Sequence, residues 1–465
     1  MWSAIERFSA QGIQFLLTLV IARLLLPSDY GLIAMIGIFI AIAQTFIDSG
    51  FSNALIQKQN RTEADYSTVF YFNLIVGVFF YLILFFVSPL IAQFYSEPDL
   101  VLIIKVVGLN LIINSLAIVQ RTKLIIALNF KIQTYISIIS VILSGVIGVW
   151  MAYNSFGVWA LICQTLLQSL LNMLGLWFYA KWHPAFVFSY HSFKSLFGFG
   201  SKILLSGLLH TIYMNLYSLV IGKKFASAEL GYYNRAYTFT FVIYGNLTEV
   251  FARAIYPIQC NLQNDNEMLR ASFIRYIKIA CYVIFPLMIG LGALAKPLVI
   301  VLLTEKWLPS VELIQIMCLG YMWDVVMRLN YTILNVKGRS DYILKSEILK
   351  KALAVAILFF TMQYGLKTMC WGIVFYAFCD IFIVTQFMKK IIHIGFFREL
   401  KIILPTFLLA FSMGIVVYCI TMVVKNGIAQ ILVGTLVGIL YYLVMSWMFK
   451  FKEFDVIKRL IYKRI

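Results

Sequence analysis

The sequence predicts an all-α polytopic membrane protein of about fourteen transmembrane helices, arranged as two six-helix lobes in parallel repeat plus two C-terminal helices. Of the 465 residues, 62% are hydrophobic and only 12% are charged, and the mean hydropathy is +0.90. Apolar stretches recur along the chain, each near the roughly 20 residues that a helix needs to cross a bilayer. They are unbroken runs, which favours helices over the alternating pattern of spanning strands.

The predicted spans follow one another through short loops, from the first residues almost to the last. The first span begins close to Met1 with no charged region or cleavage site before it, so we expect no removable signal peptide. Loops with two or more Lys and Arg residues alternate with loops that are poorer in them, so we expect both termini in the cytoplasm. The exceptions, which this topology puts on the outer face, are Lys223, Lys224, Lys306, Lys367 and Lys425. The spans are 2–26, 31–56, 69–95, 99–119, 132–153, 156–180, 193–221, 231–257, 271–295, 309–330, 341–363, 368–391, 400–424 and 427–449.

An internal repeat defines the lobes. The segment Val20–Asp65 aligns without a gap on Val220–Asp265, pairing Val20 with Val220, Ile21 with Ile221, Arg23 with Lys223, Asp29 with Glu229, Gly31 with Gly231, Phe51 with Phe251, Ala54 with Ala254 and Asp65 with Asp265. Six helices separate the copies, so both enter the membrane in the same direction, and a parallel repeat of this kind predicts a substrate path between the halves. The predicted division is a lobe over 1–192, a lobe over 193–396, two further helices over 397–449 and a basic cytoplasmic tail over 450–465.

The stretch "ARLLLPSDYG" in the first copy is typical of a helix end, a tight turn and the next helix start. Pro27 cannot donate a hydrogen bond in a helix interior, Ser28 and Asp29 suit an N-cap, and Gly31 eases a close turn. One interpretation is structural, with Arg23 capping the C-terminal carbonyls of the first helix and Asp29 capping the second. The alternative is a role in gating a substrate.

Composition excludes several classes of function. The net charge of +18 is spread over short loops and the tail, which fits membrane topology better than a nucleic-acid partner. Seven cysteines without a CxxC pair and four scattered histidines predict neither a disulfide framework nor a metal site. No nucleophilic or metal-ligand set emerges and the loops are too short for an extramembrane catalytic domain, so we expect neither an enzyme nor a bound cofactor.

Several phrases give the chain a family resemblance: "ARLLLPSDYGLIAM", "IDSGFSNALIQKQNRTEADYSTVFYFN", "AELGYYNRAY" and "LTEKWLPSVELIQIM". With fourteen spans and the repeat, the chain resembles the Wzx-type flippases, in the polysaccharide transporter branch of the multidrug/oligosaccharidyl-lipid/polysaccharide exporter superfamily. The resemblance implies two lobes around a central cavity and alternating access in the bacterial cytoplasmic (inner) membrane. The implied substrate is an undecaprenyl-diphosphate-linked oligosaccharide, the repeat unit of an O-antigen, capsule, teichuronic acid or exopolysaccharide. Membrane lipids, a polysaccharide polymerase and glycosyltransferases are the implied partners.

Charged residues inside the spans are the candidates for the site, because a diphosphate and its sugars need a wet, cationic path through hydrocarbon. The cationic candidates for substrate binding are Arg7, Arg23, Lys202, Arg235 and Arg253. Arginine suits this role because it holds a phosphate with two parallel hydrogen bonds. Each candidate also has a structural interpretation: Arg7, with Glu6, at the interface; Arg235 at the interface; and Arg253 in an ion pair with Glu249, four residues earlier.

The carboxylate candidates for ion coupling are Asp380, Asp324 and Asp48. Asp324 and Arg328 are four residues apart, which predicts a mutual ion pair. Asp380 stands alone in "FYAFCDIFIVTQF", and an isolated carboxylate at that depth is costly unless it faces water or binds a cation. It is therefore the preferred candidate for coupling to H⁺ or Na⁺, with the ion left open.

Two other functions compete. The first is an ion-coupled exporter of small organic cations or drugs on the same fold, which calls for an acidic cavity, whereas basic candidates outnumber acidic ones near the starts of the repeats. The second is a membrane-bound polysaccharide polymerase or ligase acting on the same lipid-linked substrate. Such an enzyme is expected to carry charged clusters on a long outer loop, and the predicted loops on that side are short turns.

Overall fold

A computed structural model describes the backbone of residues 2–48 and 50–462, with the side chains of 2–11, 199, 202, 203, 457 and 459–462 left out. Over these residues the chain forms α-helices and one short 3₁₀ turn, Glu305–Trp307, and no strand. The helices are α1 (Trp2–Leu24), α2 (Pro27–Asp48), α3 (Phe51–Gln57), α4 (Glu63–Tyr95), α5 (Leu100–Val107), α6 (Leu109–Ile126), α7 (Phe130–Tyr153), α8 (Val158–Ala180), α9 (Tyr190–Lys224), α10 (Ser227–Cys260), α11 (Asn266–Ala293), α12 (Ala295–Leu303), α13 (Pro309–Tyr321), α14 (Asp324–Val336), α15 (Ser340–Thr361), α16 (Leu366–Ile392), α17 (Phe396–Val423), α18 (Gly427–Met448) and α19 (Lys452–Tyr462).

The prediction of an all-α multi-span membrane protein is confirmed. Within the described residues, 11 helical segments are long and apolar enough to cross a membrane. The predicted spans without such a segment are those of α1, α10 and α15, and the last two carry several charged residues each. The count of fourteen spans stays a prediction.

The chain divides into two compact units, Met1–Gly231 and Tyr232–Ile465. In the first unit, α1 packs against α7, α7 against α8, and α2 against α9. In the second unit, α11 packs against α17, α13 against α16, α15 against α16, and α17 against α18. The lobe boundaries expected from the repeat stay a prediction.

The turn between α1 and α2 has the predicted form, with one correction. Helix α2 begins at Pro27, the first-turn position at which proline costs no hydrogen bond. The Asp29 carboxylate accepts a hydrogen bond from the Leu26 backbone N–H at 2.9 Å, so it caps the helix from its third position. The N-cap residue is therefore Leu26, whereas Ser28 or Asp29 was expected in that role.

The two copies of the repeated turn touch each other within the first unit. A Cβ atom on Gly31 would lie 1.7 Å from the carbonyl oxygen of Ser227, and one on Gly231 would lie 2.0 Å from that of Pro27. Both pairs join equivalent positions of the repeat, since each number in one copy exceeds its counterpart by 200. The first turns of α2 and α10 thus cross reciprocally, backbone against backbone, which requires glycine in both copies.

The repeated aspartates Asp65 and Asp265 both stabilise helix starts. Asp65 forms a reciprocal capping box with Thr62 at the start of α4 and lies 2.7 Å from the Lys58 ammonium. Asp265 accepts hydrogen bonds from the backbone N–H groups of Glu267 and Met268 at the start of α11. The segments "QKQNRTEAD" and "NLQNDNEM" therefore supply the N-terminal caps of the corresponding helices of the two copies, α4 and α11.

Candidate functional site

A buried ion pair joins α15 to α16 in the second unit. The Lys350 ammonium lies 2.9 Å from the Asp380 carboxylate, and the side chains are 7% and 6% exposed. Asp380 is therefore not isolated, and that part of the sequence prediction is wrong. The physical reason is that α15 packs against α16 and brings Lys350 next to Asp380. The two residues are 30 positions apart in sequence, so no local pattern reveals the contact.

The same ammonium is shared with a tyrosine and a second carboxylate. Lys350 donates to the Tyr331 hydroxyl at 2.9 Å and lies 4.2 Å from the centroid of that ring. It also lies 3.4 Å from Glu347, which accepts a 2.6 Å hydrogen bond from Tyr331. The other Glu347 oxygen lies 3.4 Å from Lys351, a more exposed residue. We call Lys350, Asp380, Tyr331 and Glu347 the lysine cluster.

The lysine cluster is costly for a helix bundle in a membrane. Removing two charges from water costs more than their attraction recovers unless hydrogen bonds satisfy the remaining polar atoms. Ionisable groups inside spanning segments therefore mark ion pathways or ligand sites more often than they stabilise a fold. The cluster contains one ammonium group and two carboxylates. Binding or release of one H⁺ or one metal cation therefore changes its net charge by one unit or more.

A second charged group lies on α10 and α14. The Glu249 carboxylate is 2.7 Å from Arg253 and 3.7 Å from Arg328, and the two arginine side chains are 68% and 55% exposed. The predicted pair of Arg253 with Glu249 is confirmed. The predicted pair of Arg328 with Asp324 is wrong, because Arg328 reaches across to α10 for its partner. We call Arg253, Glu249 and Arg328 the arginine patch.

The arginine patch can hold an anion. Two guanidinium groups share a single carboxylate, which leaves N–H donors on both arginines for a ligand. Arginine binds phosphate through two parallel hydrogen bonds, so adjacent guanidinium groups suit a diphosphate. The patch also adjoins the lysine cluster, because Arg328 and Tyr331 are three residues apart and share one face of α14.

Arg235 lies in a different setting from these arginines. It is only 3% exposed, and its guanidinium carbon lies 5.3 Å above the ring centroid of Trp307, which is fully buried. This cation–π contact ties α10 to the 3₁₀ turn. The sequence left open an interfacial or a cavity-lining position, and the structure gives a packed interior one; a role in substrate binding stays a prediction.

The remaining candidates are dispersed. Arg23 is exposed in the last turn of α1, and Asp324 is half-buried as the first residue of α14. Asp48, exposed at the end of α2, accepts a 3.2 Å hydrogen bond from Gln44. The side chains of Glu6, Arg7 and Lys202 lie outside the described residues. The roles proposed for all of them stay predictions.

Sequence reasoning missed Lys350, Glu347 and Tyr331. A usable signal was present, because "DYILKSEILKK" places charges of both signs within the predicted span 341–363. Lys350 and Glu347 are three residues apart and share a helix face, so one intramembrane face carried both an acid and a base. Among the residues whose positions the structure describes, no group of three His, Cys, Asp or Glu side chains could hold a metal ion.

Comparison with known proteins assigns the family. A family model described as "Polysaccharide biosynthesis protein" matches residues 20–312, which is more than half of the chain. The chain belongs to this family. The resemblance inferred from the sequence phrases is thereby confirmed at the level of the family, and the match includes the repeated turns and the capping motif of α4.

Relatives of this polysaccharide biosynthesis protein agree with the assignment. It is 29% identical to the teichuronic acid biosynthesis protein TuaB of Bacillus subtilis, over 82% of this chain and 79% of that protein. It is 25% identical to the lipopolysaccharide biosynthesis protein WzxC of Escherichia coli, over 76% and 72%. The fold is similar to that of a lipid II flippase, MurJ, in an inward closed conformation, with a TM-score of 0.78 at 14% identity, covering 96% of this chain and 98% of that one.

Proposed function

We propose that this chain is a flippase that moves an undecaprenyl-diphosphate-linked oligosaccharide from the inner to the outer leaflet of a bacterial cytoplasmic membrane by alternating access. The observation that carries the proposal is family membership combined with a flippase-like fold. The relatives named for teichuronic acid and lipopolysaccharide synthesis support a lipid-linked polysaccharide precursor as the cargo. Membrane lipids, a polysaccharide polymerase and glycosyltransferases are its proposed partners.

The arginine patch is the proposed binding site for the diphosphate. Its two arginines are 68% and 55% exposed, and Arg328 lies within the candidate spanning segment Pro309–Val336, where a charged side chain is expected to face water or an ionic ligand rather than lipid. The diphosphate would compete with Glu249 for the guanidinium groups. Arg7, Arg23, Lys202 and Arg235 remain proposed as further contributors along the path.

The lysine cluster is the proposed coupling site. Protonation of Asp380, or its release from Lys350, changes the charge carried by α15 and α16, and H⁺ is one ion that could drive this change. Na⁺ is the alternative, since two carboxylates and a phenolic oxygen are hard ligands of the kind that bind it. Asp324 and Asp48 stay proposed as secondary coupling residues. Both termini are proposed to be cytoplasmic.

The experiment is a flipping assay on the full chain in proteoliposomes. A membrane-impermeant glycosidase measures how much lipid-linked oligosaccharide reaches the outer leaflet over time. Arg328→Gln is expected to slow flipping about 10- to 100-fold, which corresponds to losing a charge-assisted hydrogen bond of about 1.5–3 kcal/mol. Arg398→Gln, at an exposed arginine outside the patch, is the matched control and should flip at the native rate.

The same vesicles test coupling. With an imposed H⁺ or Na⁺ gradient, Asp380→Asn should lose the gradient-dependent part of the rate, whereas Asp341→Asn should keep it, because Asp341 lies on the exposed surface beside Arg339. Equal rates for Arg328→Gln and the native chain would contradict the arginine patch as the diphosphate site. A full gradient response in Asp380→Asn would contradict the lysine cluster as the coupling site.

A further inference from the structure

An apolar groove lies between α17 and α18 in the second unit, apart from both charged groups described above. Its cavity volume is about 640 Å³. Ile402, Leu408 and Leu409 line it from α17, and Met445 and Phe449 line it from the end of α18. Pro405 also faces the groove and cannot donate the helix hydrogen bond to the carbonyl four residues earlier.

One end of this groove is cationic. Among the described residues, Lys278 of α11, Lys450 and Lys452 line it together with the acid Glu453. Lys278 lies one helical turn before Tyr282, which donates a hydrogen bond to Ser446 near the end of α18, so Lys278 lies near the level of Lys450 and Lys452. The groove therefore combines a hydrocarbon interior with an anion-attracting mouth.

The mouth lies at the level expected for lipid headgroups. Trp447, at the end of α18, is 70% exposed, and tryptophan is enriched at the membrane interface. Beyond Trp447 the chain turns into α19, whose sequence "KEFDVIKRLIY" alternates apolar and charged residues at helical spacing, as in helices that lie along a membrane surface.

Buried hydrogen bonds fix the shape of the mouth. The Tyr282 hydroxyl donates to Ser446 at 2.6 Å, and the Tyr442 hydroxyl donates to the Tyr282 carbonyl at 3.0 Å, which ties α18 to α11. The Phe451 backbone N–H donates to the Ser446 carbonyl at 3.0 Å, closing the turn that carries Lys450 in a left-handed conformation. An ordered turn thus holds Lys450 and the start of α19 at the edge of the groove, beside Lys278 of α11.

We propose that this groove binds an anionic phospholipid of the surrounding membrane. The phosphate lies among Lys278, Lys450 and Lys452, and one acyl chain lies along Leu409 and Met445. The charge of the mouth selects an anionic headgroup, and the hydrocarbon lining needs an acyl chain rather than water. The site shares no residue with the arginine patch, so it is a second anion site and does not depend on the flippase proposal.

The test measures lipid retained by the full chain. The protein is reconstituted in nanodiscs of phosphatidylcholine with a minor fraction of phosphatidylglycerol, extracted in detergent and analysed by native mass spectrometry. The triple variant Lys278→Gln, Lys450→Gln, Lys452→Gln is expected to bind phosphatidylglycerol about 100-fold more weakly, because each lysine near a lipid surface contributes about fivefold. The control changes Lys345, Lys389 and Lys401, which are exposed and do not line the groove, to Gln.

A second variant tests the apolar part. Leu408→Trp places a larger side chain at a half-exposed position of the groove, so it should exclude the acyl chain while leaving the fold intact, as a thermal unfolding scan would verify. Equal retention of phosphatidylcholine and phosphatidylglycerol would overturn the proposal, as would equal losses in the two triple variants. Displacement of phosphatidylglycerol by equimolar undecaprenyl phosphate would also overturn it, by assigning the groove to the prenyl chain of the cargo.

Discussion

Replacing Lys350 by methionine removes the positive charge of the lysine cluster while keeping a long apolar stem in its place. Asp380, which is 4% exposed, is then left without its 2.9 Å partner. Breaking a buried pair in this way costs about 3–5 kcal/mol, because the remaining charge stays buried and uncompensated. We expect Lys350→Met to lower the free energy of unfolding by that amount.

A double variant separates the cost of the uncompensated buried charge from the cost of altered packing. Replacing both partners, as Lys350→Met with Asp380→Leu, exchanges the pair for apolar side chains of similar volume, a change that is often neutral or stabilising. The double variant should therefore be more stable than Lys350→Met alone. The double-mutant cycle should give a coupling energy of about 3 kcal/mol, at the upper end for residues in contact.

The assay is equilibrium unfolding of the purified chain in mixed micelles, followed by a change in tryptophan fluorescence. Lys351→Met is the matched control, because Lys351 also pairs with Glu347, at 3.4 Å, but is 42% exposed. An exposed pair of this kind contributes about 0–1 kcal/mol. A strongly coupled buried pair is ruled out if Lys350→Met costs no more stability than Lys351→Met, or if the costs of Lys350→Met and Asp380→Leu simply add.

Two further predictions concern the repeat. Gly31→Ala should destabilise the protein by about 1–3 kcal/mol or more, because its Cβ would meet the Ser227 carbonyl at 1.7 Å, whereas Gly37→Ala has open space and should not; a thermal unfolding comparison of the two checks this. Asp265→Ala should cost about 1 kcal/mol by removing the cap of α11, while Asp99→Ala, at a helix start without a side-chain cap, should cost much less, and equal unfolding midpoints for the pair would contradict the capping role.

Local chemistry made the repeated turns predictable from sequence. Pro27 and Asp29 restrict the backbone near themselves and Gly31 permits a close turn, so their order indicated a helix end, a turn and a helix start. The sequence could not predict which backbone atoms lie against each glycine. The carbonyl that excludes a side chain at Gly31 comes from Ser227, and that approach depends on how α2 and α10 cross.

The candidate site shows the same limit more strongly. The pair of Arg253 with Glu249 was predictable, because residues four apart share a helix face. The pair of Asp380 with Lys350 depends on the register between α15 and α16, so hydropathy alone left Asp380 apparently isolated. Arg328 likewise found its acid on another helix, since Glu249 on α10 lies within reach of α14.

Movement of a lipid-linked oligosaccharide across the membrane is the activity from which the roles of both charged groups follow. The most direct measurement places the native protein in vesicles that contain both an undecaprenyl-diphosphate-linked oligosaccharide and a small fluorescent organic cation, and follows both across the bilayer. A flippase for this cargo brings the glycolipid to the opposite leaflet faster than it moves in protein-free vesicles, while the cation stays where it is. Transport of the cation with no movement of the glycolipid would contradict this activity.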